Sequence, residues 1–484
     1  MLKNIKNLFC IKLVFGNLLK RIKLKLLKHN KSMMSLLNIK KQDFEDFLDL
    51  KKISKDLKMD IKDVDITKLN LDLKNFTKEK LNCFSKLEFK QLKELNLSNN
   101  IISNLEILEN FKYEKLEILN LEHNNIKTLK GFEKVNFKIL KVLNLAENII
   151  ENIDLLENIE FVKLEKLNLY RNKISNINIL EKTNFKELKE LNISKNKISD
   201  ITPLENVNFK KLEKLNLSKN NISDITVLEK VDFKELKELI IGDNNISDIK
   251  SLENVNFPKL EILDLHWIQI PNINFLENVK FPKLKILDLM GIKFTDINAL
   301  EKVNFKNLKI LRMHSNEISD ISAFEKIDFP KLEELELESN KISDIDILAK
   351  TNMKELQYLN LAYNQIEDIS VLEKVNYPKL KELGLCGNKI SDINVLEKVN
   401  LPKLENLDLF DNYIIDINVL EKINLPNLKE INLFDNNIED ISVFEKIDFK
   451  NLKLKYISLR DNKINKETNI SLIEKIKSKI DFFI

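Results

Sequence analysis

Four histidines, His29, His123, His266 and His314, and three cysteines, Cys10, Cys83 and Cys386, are what a chain of 484 residues offers for metal binding or nucleophilic work beyond its carboxylates. The cysteines are too few and too scattered for a disulfide framework or a zinc site. His266 and His314 stand at the same phase of a 24-residue repeat with one repeat between them, so stacked strands place them about 10 Å apart. Metal ligands lie about 2 Å from their ion, which excludes a shared metal. Asp264 and Asp288 fall on neighbouring strands, where paired carboxylates can do acid–base work. No insertion breaks the repeat to wall them in, however, and on an open sheet such a pair is surface charge. No phosphate loop, dinucleotide fingerprint, nucleophile elbow or zinc-protease helix occurs, and six glycines cannot furnish a Gly-rich cradle. The expectation is a protein that is not an enzyme, with no catalytic residue, metal or cofactor.

The elements that position these residues follow from the repeat itself. From Leu92 the phrase L-x-x-L-x-L-x-x-N-x-I-S-D-I-x-x-L-E-K-V-x-F-x-x returns every 24 residues, with starts at Leu92, Leu116, Leu140 and so on to Leu428, and a sixteenth copy follows a two-residue insertion near Leu452. The L-x-L alternation makes a half-buried strand, and repetition at fixed length stacks such strands in parallel. Position six (Leu97, Leu121, Leu145), position eleven (Ile102, Ile126, Ile150) and position seventeen (Leu156, Leu180, Leu204) form buried rows. Position twenty-two carries Phe137, Phe161 and their successors to Phe329, a phenylalanine row whose rings are expected to touch from coil to coil. Position nine is Asn in fourteen of sixteen copies; a carboxamide donates and accepts, so a column of them can satisfy backbone groups where the chain leaves its strand. S-D-I-x-x-L-E-K-V reads as a short helical turn capped by Ser or Asp, with Glu and Lys on a solvated face. Six of the eight prolines sit at position twenty-three, where they stiffen entry to the strand.

The pattern resembles the leucine-rich repeat family, and NKISDITPLENV at residues 196–207 is most similar to its internalin-type and phosphatase-regulator branch. The resemblance implies an α/β leucine-rich-repeat solenoid, a horseshoe with a curved parallel sheet on its concave side and short helical turns on its convex side. It also implies a protein partner, a Ser/Thr phosphatase in the regulator case. The unit here is two residues longer than is usual for that branch, and the added residues carry the recurrent Phe.

A stack of coils needs its end layers covered. Residues 43–91 read as an N-terminal cap with a degenerate first repeat: Leu71, Leu73, Leu81, Phe84 and Phe89 match the buried rows, and Phe76 replaces the Asn. Residues 92–467 hold about sixteen repeats. Residues 468–484 read as a helical cap, with Leu472, Ile473, Ile476 and Ile480 on one face. Residues 1–42 contain eleven Lys or Arg and no acidic residue, so the chain's net +3 leaves −8 for the rest. Contact with an anionic membrane surface, a solvated tail, and a start at Met33 or Met34 are the three readings of that segment. The acidic body argues against nucleic acid as the partner. Scattered cysteines, and sequons such as Asn192-Ile193-Ser194 on the strands, point to a reducing, non-glycosylating compartment, taken as the cytoplasm. The chain is expected to be monomeric.

Because packing fixes the core positions, the outward positions three, five, seven and eight carry the information about a partner. Position five runs as Asn from Asn96 to Asn216 and then becomes Ile240, Asp264, Asp288, Arg312 and Glu336. In the same coils Ile268 and Ile292 replace the position-nine Asn, and Trp267, the chain's one tryptophan, appears. Aromatic and Met side chains on a sheet face are the types enriched at interface hot spots. Two partner-binding patches are expected, a central one of Asp264, His266, Trp267, Asp288, Met290, Arg312 and His314, and a C-terminal one of Tyr363, Phe410 and Phe434. The functional expectation is a non-catalytic scaffold for protein–protein interaction.

Overall fold

A computed structural model describes residues 67–72, 91–111, 113–447 and 453–484. The chain divides into two compact units, Met1–Leu164 and Glu165–Ile484. Both are solenoids of one coil type: a three-residue strand, a tight turn, a single turn of 3-10 helix and a return. In the first unit β1 (Lys68–Asn70), β2 (Glu94–Asn96), β3 (Ile118–Asn120) and β4 (Val142–Asn144) pair in parallel and in sequence order. The second unit continues the series with β5 (Lys166–Asn168), β6 (Glu190–Asn192), β7 (Lys214–Asn216), β8 (Glu238–Ile240) and β9 (Ile262–Asp264). Then come β10 (Ile286–Asp288), β11 (Ile310–Arg312), β12 (Glu334–Glu336), β13 (Tyr358–Asn360) and β14 (Glu382–Gly384). It ends with β15 (Asn406–Asp408), β16 (Glu430–Asn432), β17 (Tyr456–Ser458), helix α1 (Ile470–Lys477) and β18 (Asp481–Phe483). The register is that of the repeat, Leu263 facing Leu287 and Leu287 facing Leu311.

The rows read from sequence form the core: Leu121, Ile126, Leu204 and Phe209 are at most 1% exposed, as are their counterparts in most coils. The phenylalanine row is buried as expected, but its rings do not pair with one another among the described residues. Ring contacts arise where a second aromatic enters the coil, as between Phe132 and Phe161 at 5.8 Å and 78°. The convex turns are 3-10 rather than α because each coil has room for a single turn, closed by bonds such as Leu204 N–H to Ile201 C=O at 3.0 Å. The residue before each cap position, Asp or Asn rather than Ser, takes the first N–H of the turn: Thr202 N–H donates to Asp200 Oδ1 at 2.8 Å, Ser370 N–H to Asp368 Oδ1 at 2.7 Å and Asn178 N–H to Asn176 Oδ1 at 2.8 Å.

Each coil leaves its strand through a residue at position eight in the left-handed region, from Asn99 at φ 53° to Asp461 at φ 53°. That conformation costs an ordinary L-residue about 1–2 kcal/mol, and glycine supplies it only at Gly291 and Gly387. The next residue, Asn, holds the turn. Asn220 Nδ2 donates to the carbonyls of Ile193, Leu217 and Ser218 at 3.1, 2.9 and 3.2 Å, and its Oδ1 accepts from Ile198 N–H at 3.0 Å. One carboxamide thus ties its own turn to the coil before it. Position five is part of the same device. Asn96, Asn144, Asn192 and Asn216 each accept the N–H two residues on at 2.9–3.1 Å, so the asparagine run read as an outward ladder closes the strand ends.

Two end assignments change. Leu69 pairs with Leu95, and Leu69 and Leu71 are buried as positions four and six, so the first coil spans 26 residues rather than 24 and its register lies two residues from that expected. Leu73, Phe76, Leu81, Phe84 and Phe89 lie outside the described residues, as do 1–66. At the other end the cap is a helix plus a strand. α1 buries Ile473 and Ile476, and the chain then turns so that β18 pairs in parallel with β17, burying Phe482 against Phe444 at 5.7 Å. Apolar Phe482, two residues past Ile480, needs strand alternation to reach the core.

Replacing Asn220 with Ala orphans the Ile198 N–H and takes one of two donors from the carbonyls of Ile193, Leu217 and Ser218, which keep Asn196 Nδ2, Asn244 Nδ2 and Lys195 N–H; the expected loss is about 2 kcal/mol, read as a fall in the urea midpoint. Ile268→Asn, which restores the column, is expected to stay within about 1 kcal/mol of the parent.

Candidate functional site

Strands present positions three and five outward, and positions seven and eight follow at the turn. In the second unit these positions on β9 to β12 bring together charged groups that sequence spacing had only placed in one region. His266 Nδ1 lies 2.5 Å from Asp264 Oδ1, and that oxygen also accepts His266 N–H at 3.0 Å. Arg312 Nε donates to Glu336 Oε1 and its Nη2 to Glu334 Oε1, each at 2.9 Å. His314 Nδ1 is 3.0 Å from Glu336 Oε2. Asp288 stands between the two clusters, paired in register with Asp264 on one side and Arg312 on the other. Glu334 and Glu336 are therefore members of the site that the sequence reading left out of its patch.

Burial sets the electrostatics. The hydrogen bond that the His266 imidazolium donates to Asp264 raises the His266 pKa above its ordinary value against the opposing effect of desolvation, with further negative charge from Asp288 and Asp243. Glu336, helped by Asp288 and Glu338, does the same for His314. Burial raises the Asp288 carboxyl, and Asp264 adds to it, while Met290 N–H, Arg312 and His266 oppose the rise. Burial would also raise Glu336, but the His314 ring beside it and the hydrogen bond from Arg312 outweigh it and hold this carboxyl well below the usual range. The arrangement is a buttressed charge network. His266 engages Asp264, Arg312 engages Glu334 and Glu336, and His314 faces Glu336, while Asp288 accepts the Met290 N–H at 3.0 Å.

Trp267 occupies position eight at φ 54°, and its side chain remains 47% exposed. It leans on the next coil: a Cβ on Gly291 would fall 2.6 Å from the indole ring. The same pairing recurs with Tyr363, 45% exposed, whose ring would meet a Cβ on Gly387 at 2.3 Å. Gly242 makes way for the His266 imidazole in like fashion, at 2.3 Å. Met290 is half-buried in the same region. In the C-terminal patch Phe410 and Phe434 stack on each other, centroids 5.0 Å apart at 38°, and each is half-buried. They act as one apolar surface. The rarity of glycine was the signal available in the sequence, since three of only six lie beside the large side chains of the face.

Beneath Trp267 the turn itself differs. Ile268 and Ile292 fill the asparagine column with apolar side chains, 1% and 2% exposed. The N–H groups of Ile246 and Ile270, whose counterparts donate to the next coil's Asn, face side chains with no acceptor. In the second altered coil Lys293 adopts φ 69° and donates its N–H to Asn316 Oδ1 at 2.7 Å, one residue earlier than elsewhere.

Among the described residues no group of His, Cys, Asp and Glu is placed to hold a metal ion, and no helix is long and apolar enough to cross a membrane. A family model described as leucine-rich repeats in two copies matches residues 186–230, 306–350, 330–374 and 378–422, and a single-repeat model matches 424–444. The solved structure of an internalin from Listeria monocytogenes is 26% identical with a TM-score of 0.51, over 79% of this chain and 88% of that one. A leucine-rich repeat protein from Leptospira interrogans is 24% identical with a TM-score of 0.61, over 89% of this chain and 98% of its own. A plant peptide hormone receptor, solved in complex with RGF2, is 20% identical with a TM-score of 0.56, over 83% and 69%. None of the curated proteins compared with the chain matches it.

His266 and His314 should both titrate above the ordinary imidazole value in NMR, and Glu336→Gln should bring His314 down without moving His266. Their folded-state pKa is raised, so the stability they lend is complete below the unfolded value, about 6.5, and is lost as pH climbs through the raised one. The stability gap between the parent and Glu336→Gln should therefore narrow as pH climbs from about 6.5 through the raised His314 value; a widening gap would contradict the network.

Proposed function

Because the chain is a leucine-rich repeat protein with repeats of the internalin type, we propose that it binds another protein along the strand face of its second unit and performs no chemistry itself. The observation that carries this reading is Trp267, a large aromatic held half-exposed over Gly291 at the end of the strand that also carries Asp264 and the neighbouring His266. An aromatic anchor fixed before binding loses little conformational freedom on association, and a polar rim around it supplies specificity. Tyr363 and the Phe410–Phe434 stack form a second contact zone on the same unit. A plant receptor of this fold is solved with RGF2 bound, which supports a protein or peptide as the class of partner.

The non-catalytic part of the proposal is supported by the engagement of Asp264, His266, Glu336 and His314 with one another. A regulatory subunit of a Ser/Thr phosphatase is the narrower form of the same reading and rests on the wording of the repeat. The acidic balance beyond residue 42 supports a partner other than nucleic acid. A reducing compartment, taken as the cytoplasm, is supported by the free thiol of Cys386 and by sequon asparagines such as Asn192 and Asn216 that are bonded into the strand ends. A monomer remains the expected state.

Proximity labelling identifies the partner, and its Kd is then measured against the parent and Trp267→Ala. Loss of the indole should weaken binding by about 2 kcal/mol, close to thirtyfold. Equal affinity of the two proteins removes the central patch from the interface. Recovery of a phosphatase catalytic subunit selects the regulatory form, and turnover by the isolated chain overturns the non-catalytic reading.

A further inference from the structure

On the strand face of β13 to β17 lies a hollow of about 530 Å³. Its floor is low because Gly384 occupies position five, flanked by Ala362 and Cys386 at position seven. The backbone does not ask for this glycine. Its φ is not left-handed, and a Cβ there would meet only the carboxamide end of Asn360, Oδ1 at 2.7 Å. What the missing side chain provides is room. Tyr358 and Tyr456 line the hollow from positions three of β13 and β17, and Glu338, Glu382, Asp408 and Glu430 supply its charge.

That charge is uncompensated, unlike the rest of the face. Other position-three glutamates pair with a cation on the neighbouring strand: Glu190 with Lys166 at 2.8 Å, Glu238 with Lys214 at 3.0 Å, Glu334 with Arg312 at 2.9 Å. Glu382 and Glu430 instead face Tyr358, Asn406 and Tyr456 in register, and no Lys or Arg lines the hollow. Glu338 holds Asn360 Nδ2 at 2.8 Å and Asp408 accepts Phe410 N–H at 3.1 Å, contacts that leave both charges intact. The surroundings register the field. Burial pushes the Cys386 thiol up to about 12, helped by the Asp408 and Glu338 charges, and burial with Glu336, Glu382 and Glu338 raises the Tyr358 hydroxyl. Low-dielectric walls concentrate such a potential in the opening. A bare metal ion does not suit it, because among the described residues no three carboxylates stand close enough to ligate one.

We propose that this hollow receives an arginine or lysine side chain from an extended segment of the protein partner. The apolar stem lies along Tyr358, where the ring face also attracts a cation, and the charged head spreads over Glu382, Asp408 and Glu430 above Gly384. The proposal rests on the strand face being the binding face and adds what one part of it selects.

The test uses the full chain and two dye-labelled nonapeptides of Gly, Ser and Asn, one with a central Arg-Ser-Arg and the other with Gln-Ser-Gln, read by fluorescence anisotropy. The arginine peptide should saturate and bind at least about tenfold tighter than the glutamine peptide. Gly384→Leu, which fills the floor, should abolish that preference, and so should Glu382→Gln with Glu430→Gln, which leaves the packing alone. Trp267→Ala should keep it. Equal binding of the two peptides, or an arginine preference unchanged in Gly384→Leu, overturns the proposal. Should partner binding depend on Trp267 while the peptides bind alike, only the hollow's assignment fails; should Trp267 be neutral while the arginine preference holds, only the central patch does.

Discussion

Every coil of this protein has to leave its strand within a few residues and bury the backbone it turns. Water cannot reach those groups, and an unpaired buried carbonyl or N–H costs about 1–3 kcal/mol. The asparagine at position nine answers that demand, reaching two carbonyls of its own turn and one of the previous coil while accepting an N–H from the latter, as Asn340 and Asn364 show. The left-handed residue before it is what aims the carboxamide inward. Once the turn is held this way, position eight tolerates His123, Glu147, Arg171 and Lys219 as readily as glycine. The strain is met by a bond network that belongs to the coil, so the side chain at position eight is left for the surface to use.

Position five carries the same logic. Its Asn or Asp closes the strand end, and Asp264, Asp288 and Asp408 keep that bond to the N–H two residues on while adding charge to the face. Ile240, Arg312, Glu336 and Gly384 break with the Asn or Asp type. These departures are where the face acquires features: Gly242 beside His266 after Ile240, the ion network at Arg312 and Glu336, and the hollow over Gly384. The solvated lysine–glutamate ladder at position two, for instance Lys237 with Glu213 and Lys285 with Glu261, continues past all of them. Exposed pairs of this kind contribute little each, so the features of the face do not come at the cost of the stack.

The stack was legible in the sequence because one period dictates it. Leu121, Ile126 and Leu204 are buried for reasons visible in their spacing, and the parallel register needs only equal coil lengths. Where length changes, the reading slipped: the coil between Leu69 and Leu95 is two residues longer, and spacing from Leu92 misplaced its strand. The C-terminal strand was hidden by its helix, since Ile473, Ile476 and Ile480 satisfy a helical face and only Phe482 asks for something else. On the face, residue types marked the central patch, but pairing across strands could not be read along the chain. Glu336 is reached by both Arg312 and His314 from the strand before it, and the hollow exists through a side chain that is missing.

Trp267 and Gly291 show why the altered coils are more than a worn repeat. An indole at a left-handed position carries the strain of about 1–2 kcal/mol that position eight imposes on any L-residue, whereas Gly291, itself left-handed at φ 69°, adopts that conformation without it. Neither change alone produces the arrangement. With any side chain at 291 the ring is displaced, because a Cβ would sit 2.6 Å from it; with a smaller residue at 267 the glycine has nothing to admit. Random loss of pattern would pair these two residues once by accident, but Tyr363 and Gly387 repeat the pair at the same positions four coils later, again with the ring nearly half exposed. The two rings, at the ends of β9 and β13, flank β10 to β12, and the glycines beside them fix their seats. At both turns the ring packs against the glycine backbone of the next coil, so the contact that seats it also offsets the strain of the position-eight conformation.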